Sequence, residues 1–128
     1  MNTADLMVKA HRALTSAQKL LQDGDGDGAC NRAYYAMFDA ARAALIASNA
    51  SVPPDIAKTH SGLISAFSLH LVKSNLFPVE LGRALNTAED LRLVADYKGD
   101  SIESEQAQWA VNAARAFIEE VERRFIAK

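Results

Sequence analysis

The segment Asn31–Ser48, NRAYYAMFDAARAALIAS, decides the fold of this chain. At about 100° per residue on a helix, its side chains separate into three faces. One face is an apolar stripe at core-facing spacing, formed by Tyr34, Phe38, Ala41 and Leu45. The next is mostly polar and contains Arg32, Tyr35, Asp39, Arg42 and Ile46. The third is an alanine surface that lets another helix approach closely: Ala33, Ala36, Ala40, Ala43, Ala44 and Ala47. A helix with two packable faces and a polar edge is predicted to lie at the centre of the molecule.

Composition limits both the size of the fold and its partners. With 128 residues, 49% of them hydrophobic, residues 1–128 are expected to form one domain around one core. The net charge of −2, from 14 basic and 16 acidic residues, gives no global positive field for nucleic acid. A single cysteine, Cys30, fits a reducing compartment. No signal peptide or membrane span of about 20 apolar residues is evident, so the expected location is the cytoplasm.

Helical periodicity continues along the rest of the chain. Four further helices are predicted, at Thr3–Gln22, from Asp55 or Thr59 to about Lys73, from Pro78 to about Tyr97, and from Ile102 to about Ile126. Their expected caps are Asn2 or Thr3, Asp55 or Thr59, and Asp100 or Ser101, with capping-box spacing from Asp100 to Glu103. No strand-like alternation or repeat is found. The predicted fold is therefore all-α, an up-and-down bundle of about five helices.

The run DGDGDG at 23–28 separates the first two helices. Asp23, Asp25, Asp27 and Gly28 have the spacing of a calcium-binding loop, but Tyr34 stands where that loop needs a bidentate glutamate. We interpret the run as a turn whose last aspartate, Asp27, caps the next helix. No metal or cofactor site is predicted.

Two side chains on apolar helix faces are candidates for function. His60 shares the inward face of the third helix, where it is either a core-edge histidine or a proton-transfer group in a cleft. Arg92 lies within the inward stripe of the fourth helix, and Glu89 and Asp96 are its candidate partners. It forms either a structural ion pair or a cationic group that meets a phosphate or carboxylate.

Three motifs in order resemble the HEPN superfamily, in particular the small standalone proteins of bacteria and archaea. They are NRAYYAMFDAARAAL at 31–45, KTHSGLISAF at 58–67 and RLVADY at 92–97. The resemblance implies a dimeric helical bundle, found either as a ribonuclease toxin of toxin–antitoxin pairs or as the partner of a minimal nucleotidyltransferase. Members that cleave RNA do so without a metal, through an arginine followed four to six residues later by a histidine.

In this sequence Arg92 matches the arginine, but no histidine follows it. We hypothesise that Arg92 stabilises phosphate charge while His60 transfers the proton. The same cleft, with Arg32, Tyr35, Asp96 and Tyr97, would also suit a site that only binds RNA or a nucleotide. A third interpretation is a dimerisation or docking module that uses the alanine surface. All cleft interpretations require Arg32 and Arg92 to lie on the same side of the molecule.

Overall fold

Five α-helices form an antiparallel bundle in the computed structural model, which describes residues 2–53, 58–97 and 101–126. They are α1 (Thr3–Gln22), α2 (Gly26–Ala47), α3 (His60–Phe67), α4 (Val79–Tyr97) and α5 (Ser104–Val121). Single π-helical stretches, Ser68–Val72 and Glu122–Ile126, prolong α3 and α5. No strand occurs in these described ranges, so the predicted all-α fold is confirmed.

Helix α2 is the centre of the bundle and contacts each of the other four helices. Its alanine face is used inside the chain, because Ala33, Ala36, Ala40, Ala43 and Ala44 are all fully buried. The close approach predicted for this face is therefore made to neighbouring helices of the same chain. Ala47 alone of this predicted face is partly exposed, so within this chain most of the face is already occupied, and the docking interpretation stays a prediction.

Local capping explains where the helices begin. Asn2 accepts a hydrogen bond from the backbone N–H of Asp5 at 2.8 Å, and Thr59 accepts one from Gly62 at 3.0 Å. At α5 the cap is Glu103, whose backbone N–H donates to the Gln106 side chain at 3.1 Å. Glu103 and Gln106 thus form the capping box of α5, two residues after Ser101, one of the two predicted caps. Asp55 and Asp100 lie outside the described residues.

Helix α2 begins earlier within the aspartate run than predicted. Asp25, not Asp27, caps α2 by accepting from the backbone N–H of Gly28 at 2.8 Å. Asp27 instead accepts a hydrogen bond from the backbone N–H of Ile102, also at 2.8 Å. The prediction that Asp27 caps α2 is therefore wrong, because a distant segment of the chain occupies its carboxylate.

Aromatic rings fill the core at one end of the bundle, the end where Phe77 lies. Phe67, Phe77 and Phe117 contact one another with ring centroids 4.9–5.4 Å apart, and Phe125 stacks on Phe77 at 6.4 Å. Helices α3 and α4 come close together beside this cluster. A Cβ atom at Gly82 would lie 2.7 Å from Cγ2 of Val72, so glycine permits this approach.

Cys30 provides a pH test of the packing around α2. Burial, with the negative charge of Asp27 adding to it, raises the pKa of this thiol from 9.0 to about 11. The unfolded chain then releases the thiol proton from about pH 9, two pH units before the native state. We expect the free energy of unfolding to fall by about 2 kcal/mol between pH 9 and pH 11.

Urea unfolding at pH 8, 9, 10 and 11 measures this loss, with Cys30→Ala as the matched control. Other groups that titrate in this range, including Tyr34, are present in both proteins and cancel in the comparison. The wild type should therefore lose about 2 kcal/mol more than the variant across the range. If the free energy of unfolding changed with pH by the same amount in both proteins, the raised pKa of the Cys30 thiol would be contradicted.

Candidate functional site

Three helices bring aromatic and polar side chains together around Tyr34, which is fully buried. The Tyr34 hydroxyl and Nδ1 of His60 are 2.8 Å apart, which joins α2 to the start of α3. The guanidinium carbon of Arg92, on α4, lies 5.0 Å from the centroid of the Tyr34 ring. We call this group, with Asn31, Arg32, Tyr35, Glu89 and Asp96, the tyrosine cluster.

The His60 ring lies among three aromatic rings of α2. Its centroid is 4.9 Å from that of Phe38, 5.5 Å from Tyr34 and 5.7 Å from Tyr35. The histidine is nevertheless partly exposed, as is Tyr35. It therefore has one nitrogen fixed by a tyrosine and lies at the surface of the bundle, so both sequence interpretations of His60 describe part of its environment.

Arg92 is 5% exposed and fully engaged with carboxylates. Its Nη2 and Nε atoms donate to the two Glu89 oxygens at 2.8 and 3.3 Å, and Nη1 donates to Asp96 at 3.3 Å. Burial opposes the charged form, but the Glu89 hydrogen bonds outweigh it and raise the pKa of Arg92 above its usual range. The predicted ion pair is present, and each of the three guanidinium nitrogens already donates to a carboxylate.

Arg32 occupies the outer side of the same cluster. Its guanidinium carbon lies 5.0 Å from the Tyr35 centroid, and that of Arg92 lies 5.6 Å from the same centroid. The two arginines therefore share one surface, as the cleft interpretations require. Within the residues that the structure describes, Arg32 forms no ion pair with a carboxylate and donates only to Asn31, from Nε at 3.1 Å. Arg32 is the partly exposed cation of the cluster.

Asn31 links the two arginines and was missed by the sequence analysis. Its amide donates to both Asp96 oxygens, at 3.1 and 3.3 Å, and its carbonyl accepts from Arg32. This chain of hydrogen bonds ties the start of α2 to the end of α4. Periodicity could not have found it, since residues 31 and 96 are neighbours only in the folded bundle.

Tyr34 was assigned to ordinary core, yet its hydroxyl is part of the cluster. A fully buried tyrosine needs a partner for its hydroxyl, and that requirement was the signal available in the sequence. Burial, with the adjacent Glu89 carboxylate, raises the pKa of Tyr34 well above its usual range. The phenol therefore keeps its proton at neutral pH and holds the His60 ring by a hydrogen bond.

Two of the remaining predicted side chains differ in exposure, since Tyr97 is highly exposed and Asp39 is buried. Tyr97 ends α4 with 74% of its surface exposed and makes no ring contact in the described part of the chain. Asp39, placed on the polar edge of α2, is 7% exposed, and burial raises the pKa of its carboxyl against the positive charges of Lys9, Arg42 and Arg32. Among the described residues, no three His, Cys, Asp or Glu side chains are grouped to hold a metal ion.

The chain belongs to the HEPN family, whose sequence profile matches residues 3–124. It is 43% identical over 95 residues to a UPF0332 protein of Gloeobacter violaceus, covering 74% of this chain and 71% of that relative. Two Methanocaldococcus jannaschii proteins, each named “Putative toxin”, are 30% identical to it. The first match covers 96% of this chain and the second 89%, and each covers 81% of the relative. None of the described helices has the length and apolar character needed to cross a membrane.

Proposed function

We propose that this protein is a toxin-type HEPN ribonuclease whose tyrosine cluster cleaves single-stranded RNA. The observation that carries the proposal is the placement of His60 between a fixed hydrogen bond to Tyr34 and the surface of the bundle. The names of the two Methanocaldococcus jannaschii relatives support a toxin role. Cleavage by the 2′-hydroxyl needs a base for that proton and a cation near the phosphate.

His60 is the base in this proposal. For Nε2 to accept a proton, Nδ1 must carry the other ring hydrogen and donate it to the Tyr34 oxygen, 2.8 Å away. The phenolic hydrogen then points to Glu89, whose carboxylate contributes to the raised pKa of Tyr34. The proton taken from the 2′-hydroxyl leaves with the 5′-oxygen, as the 2′-oxygen forms its bond to phosphorus and the bond to the 5′-oxygen breaks.

Arg32 provides the phosphate contact and Arg92 the positioning of the cluster. We assign them in this way because the nitrogens of Arg92 are bound by Glu89 and Asp96, whereas Arg32 is partly exposed and forms no ion pair with a carboxylate in the described ranges. Tyr35, stacked under Arg32, and the exposed Tyr97 are then the surfaces for base stacking. This changes the role we hypothesised for Arg92 from phosphate contact to orientation of Tyr34 and His60.

The test is cleavage of a fluorescein-labelled single-stranded RNA by the purified protein in the presence of EDTA. We expect products with 2′,3′-cyclic phosphate ends, and a cleavage rate lower by roughly 100-fold or more in His60→Ala. Tyr34→Phe should lower the rate less, because the base remains but its orientation is lost. The matched control is His11→Ala, since His11 is half exposed and pairs with Glu122. Equal cleavage by wild type and His60→Ala would contradict the proposal.

Binding without cleavage would favour the alternative of a non-catalytic module that binds a nucleotide for a nucleotidyltransferase partner. The neutralisation of Arg92 by two carboxylates is the feature that suits this alternative. A homodimer is part of both proposals and is tested by light scattering of the purified chain. If the protein leaves the RNA intact and the Arg32→Ala variant binds it more weakly than wild type does, the binding-module proposal replaces the ribonuclease proposal.

A further inference from the structure

A groove between α3 and α4 lies about one helical turn from the tyrosine cluster, since its lining residues Ile64 and Asn86 come four positions after His60 and three before Glu89. At one end, His60 of α3 and Arg92 of α4 both contact Tyr34. At the other end, Val72 after α3 packs against Gly82 near the start of α4. The two elements are therefore antiparallel, and a ligand lying between them leads from His60 toward Lys73. At about 1.5 Å per residue, this path is roughly 20 Å long.

Two neighbouring cavities of about 200 and 340 Å³ make up the groove. They are continuous, because Ile64, Ser68 and Asn86 line both. Phe67 and Leu85, each 1% exposed, form the floor of the first cavity. The exposed rim carries the polar side chains of Ser65, Lys73, Arg83 and Asn86, together with two apolar ones, Leu69 and Val79.

The charge along the groove has one sign. Lys73 and Arg83 line it, and none of the described lining residues is an aspartate or glutamate. Neither cation forms an ion pair with any other residue in the described portion of the chain. Glu80, one turn before Arg83, lines a different groove between α4 and α5, which Arg83 also borders. The cationic rim is therefore left for an anionic ligand.

We infer that this groove binds the backbone of the single-stranded RNA beyond the phosphodiester held at His60. The inference rests on the proposed function and extends it to the path of the strand. Lys73 and Arg83 supply phosphate contacts, and the Ser65, Ser68 and Asn86 side chains supply hydrogen bonds to phosphate and 2′-hydroxyl oxygens. Two cations with hydroxyl and amide groups on the same rim match the alternating phosphate and 2′-hydroxyl groups of an RNA backbone.

The experiment measures binding of a fluorescein-labelled, 2′-O-methyl-substituted 12-mer of uridine, which cannot be cleaved, by anisotropy between 25 and 200 mM salt. The variant is the full-length double substitution Lys73→Ala, Arg83→Ala. The loss of two phosphate contacts should lower the slope of log affinity against log salt by about 1.4, and weaken binding roughly 10-fold at low salt. The charge-matched control is Lys19→Ala, Arg115→Ala, two exposed cations outside the groove, which should bind like wild type.

Cleavage of a dinucleotide separates this inference from the proposed function. A dinucleotide has one phosphodiester, so when that group lies at His60 nothing reaches Lys73, and the groove variant should cleave it as wild type does. Loss of 12-mer affinity in the groove variant, with cleavage that survives His60→Ala, would support the groove and overturn the ribonuclease mechanism. Equal salt slopes for the groove variant and the control, or no binding of the 12-mer by wild type, would overturn the groove.

Discussion

Replacing Arg92 with alanine is expected to lower the free energy of unfolding by about 3 to 5 kcal/mol. The substitution leaves the Glu89 and Asp96 carboxylates facing each other without their cation, and the Glu89 side chain is only 15% exposed. It also removes the guanidinium from beside Tyr34 and Tyr35. Most of the loss comes from Glu89, because the Asp96 side chain is 27% exposed and partly solvated by water.

Urea unfolding at pH 7 measures the effect, with Arg123→Ala as the matched control. Arg123 also pairs with a glutamate three residues before it, but its side chain is 69% exposed, so its removal should cost less than about 1 kcal/mol. The double variant Arg92→Met, Glu89→Gln should recover much of the loss, since it removes both buried charges together. Similar costs for Arg92→Ala and Arg123→Ala would refute the structural role of Arg92.

This prediction decides which arginine variants are useful for function. Arg92→Ala tests folding and chemistry together, so a loss of RNA cleavage in that variant alone would be uninformative. Arg32→Ala removes a partly exposed cation without leaving a buried carboxylate unpaired, because Arg32 bonds only to the Asn31 amide in the described ranges. Arg32 is thus the arginine whose removal reports on the ligand.

Phe117→Ala is expected to cost about 3 to 5 kcal/mol at the aromatic end of the bundle. Phe117 is fully buried and contacts Phe67 and Phe77 with centroids 5.4 and 4.9 Å apart, so truncation leaves a cavity between α3, α5 and the segment before α4. Trp109→Ala on the same helix is the control, because its side chain is 39% exposed and should cost less. The measurement is again urea unfolding. A cost below about 1 kcal/mol would mean that neighbouring side chains at this end of the bundle move to fill the cavity.

Much of the fold could be predicted because helix periodicity is local. Thr3–Gln22 and the end of α4 at Tyr97 match the sequence prediction, and α3 has its predicted cap at Thr59. The start of α2 was predicted too late, since glycines at 26 and 28 have low intrinsic helix propensity. A Cβ at Gly26 would lie 3.0 Å from the Ile102 carbonyl oxygen, so the requirement for glycine there comes from a distant part of the chain.

In the candidate site too, contacts within one helix could be predicted from the sequence, whereas contacts between helices could not. The partners of Arg92 could be predicted because they are three and four residues away on one helix. The bond between Tyr34 and His60 and the bond between Asn31 and Asp96 join residues 26 and 65 positions apart, and only the packed bundle brings them together. Sequence spacing therefore identified individual side chains of the cluster, whereas the links between helices required the structure.

The buried alanine face of α2 determines where this molecule can change shape. Alanine has no side-chain rotamers, so an interface built from alanine methyl groups has no second arrangement to adopt. The opposite side of α2 is held by arginine, histidine, tyrosine and carboxylate side chains, each of which has alternative rotamers. Side-chain changes that admit a ligand are therefore expected on the side of α2 that faces α3 and α4.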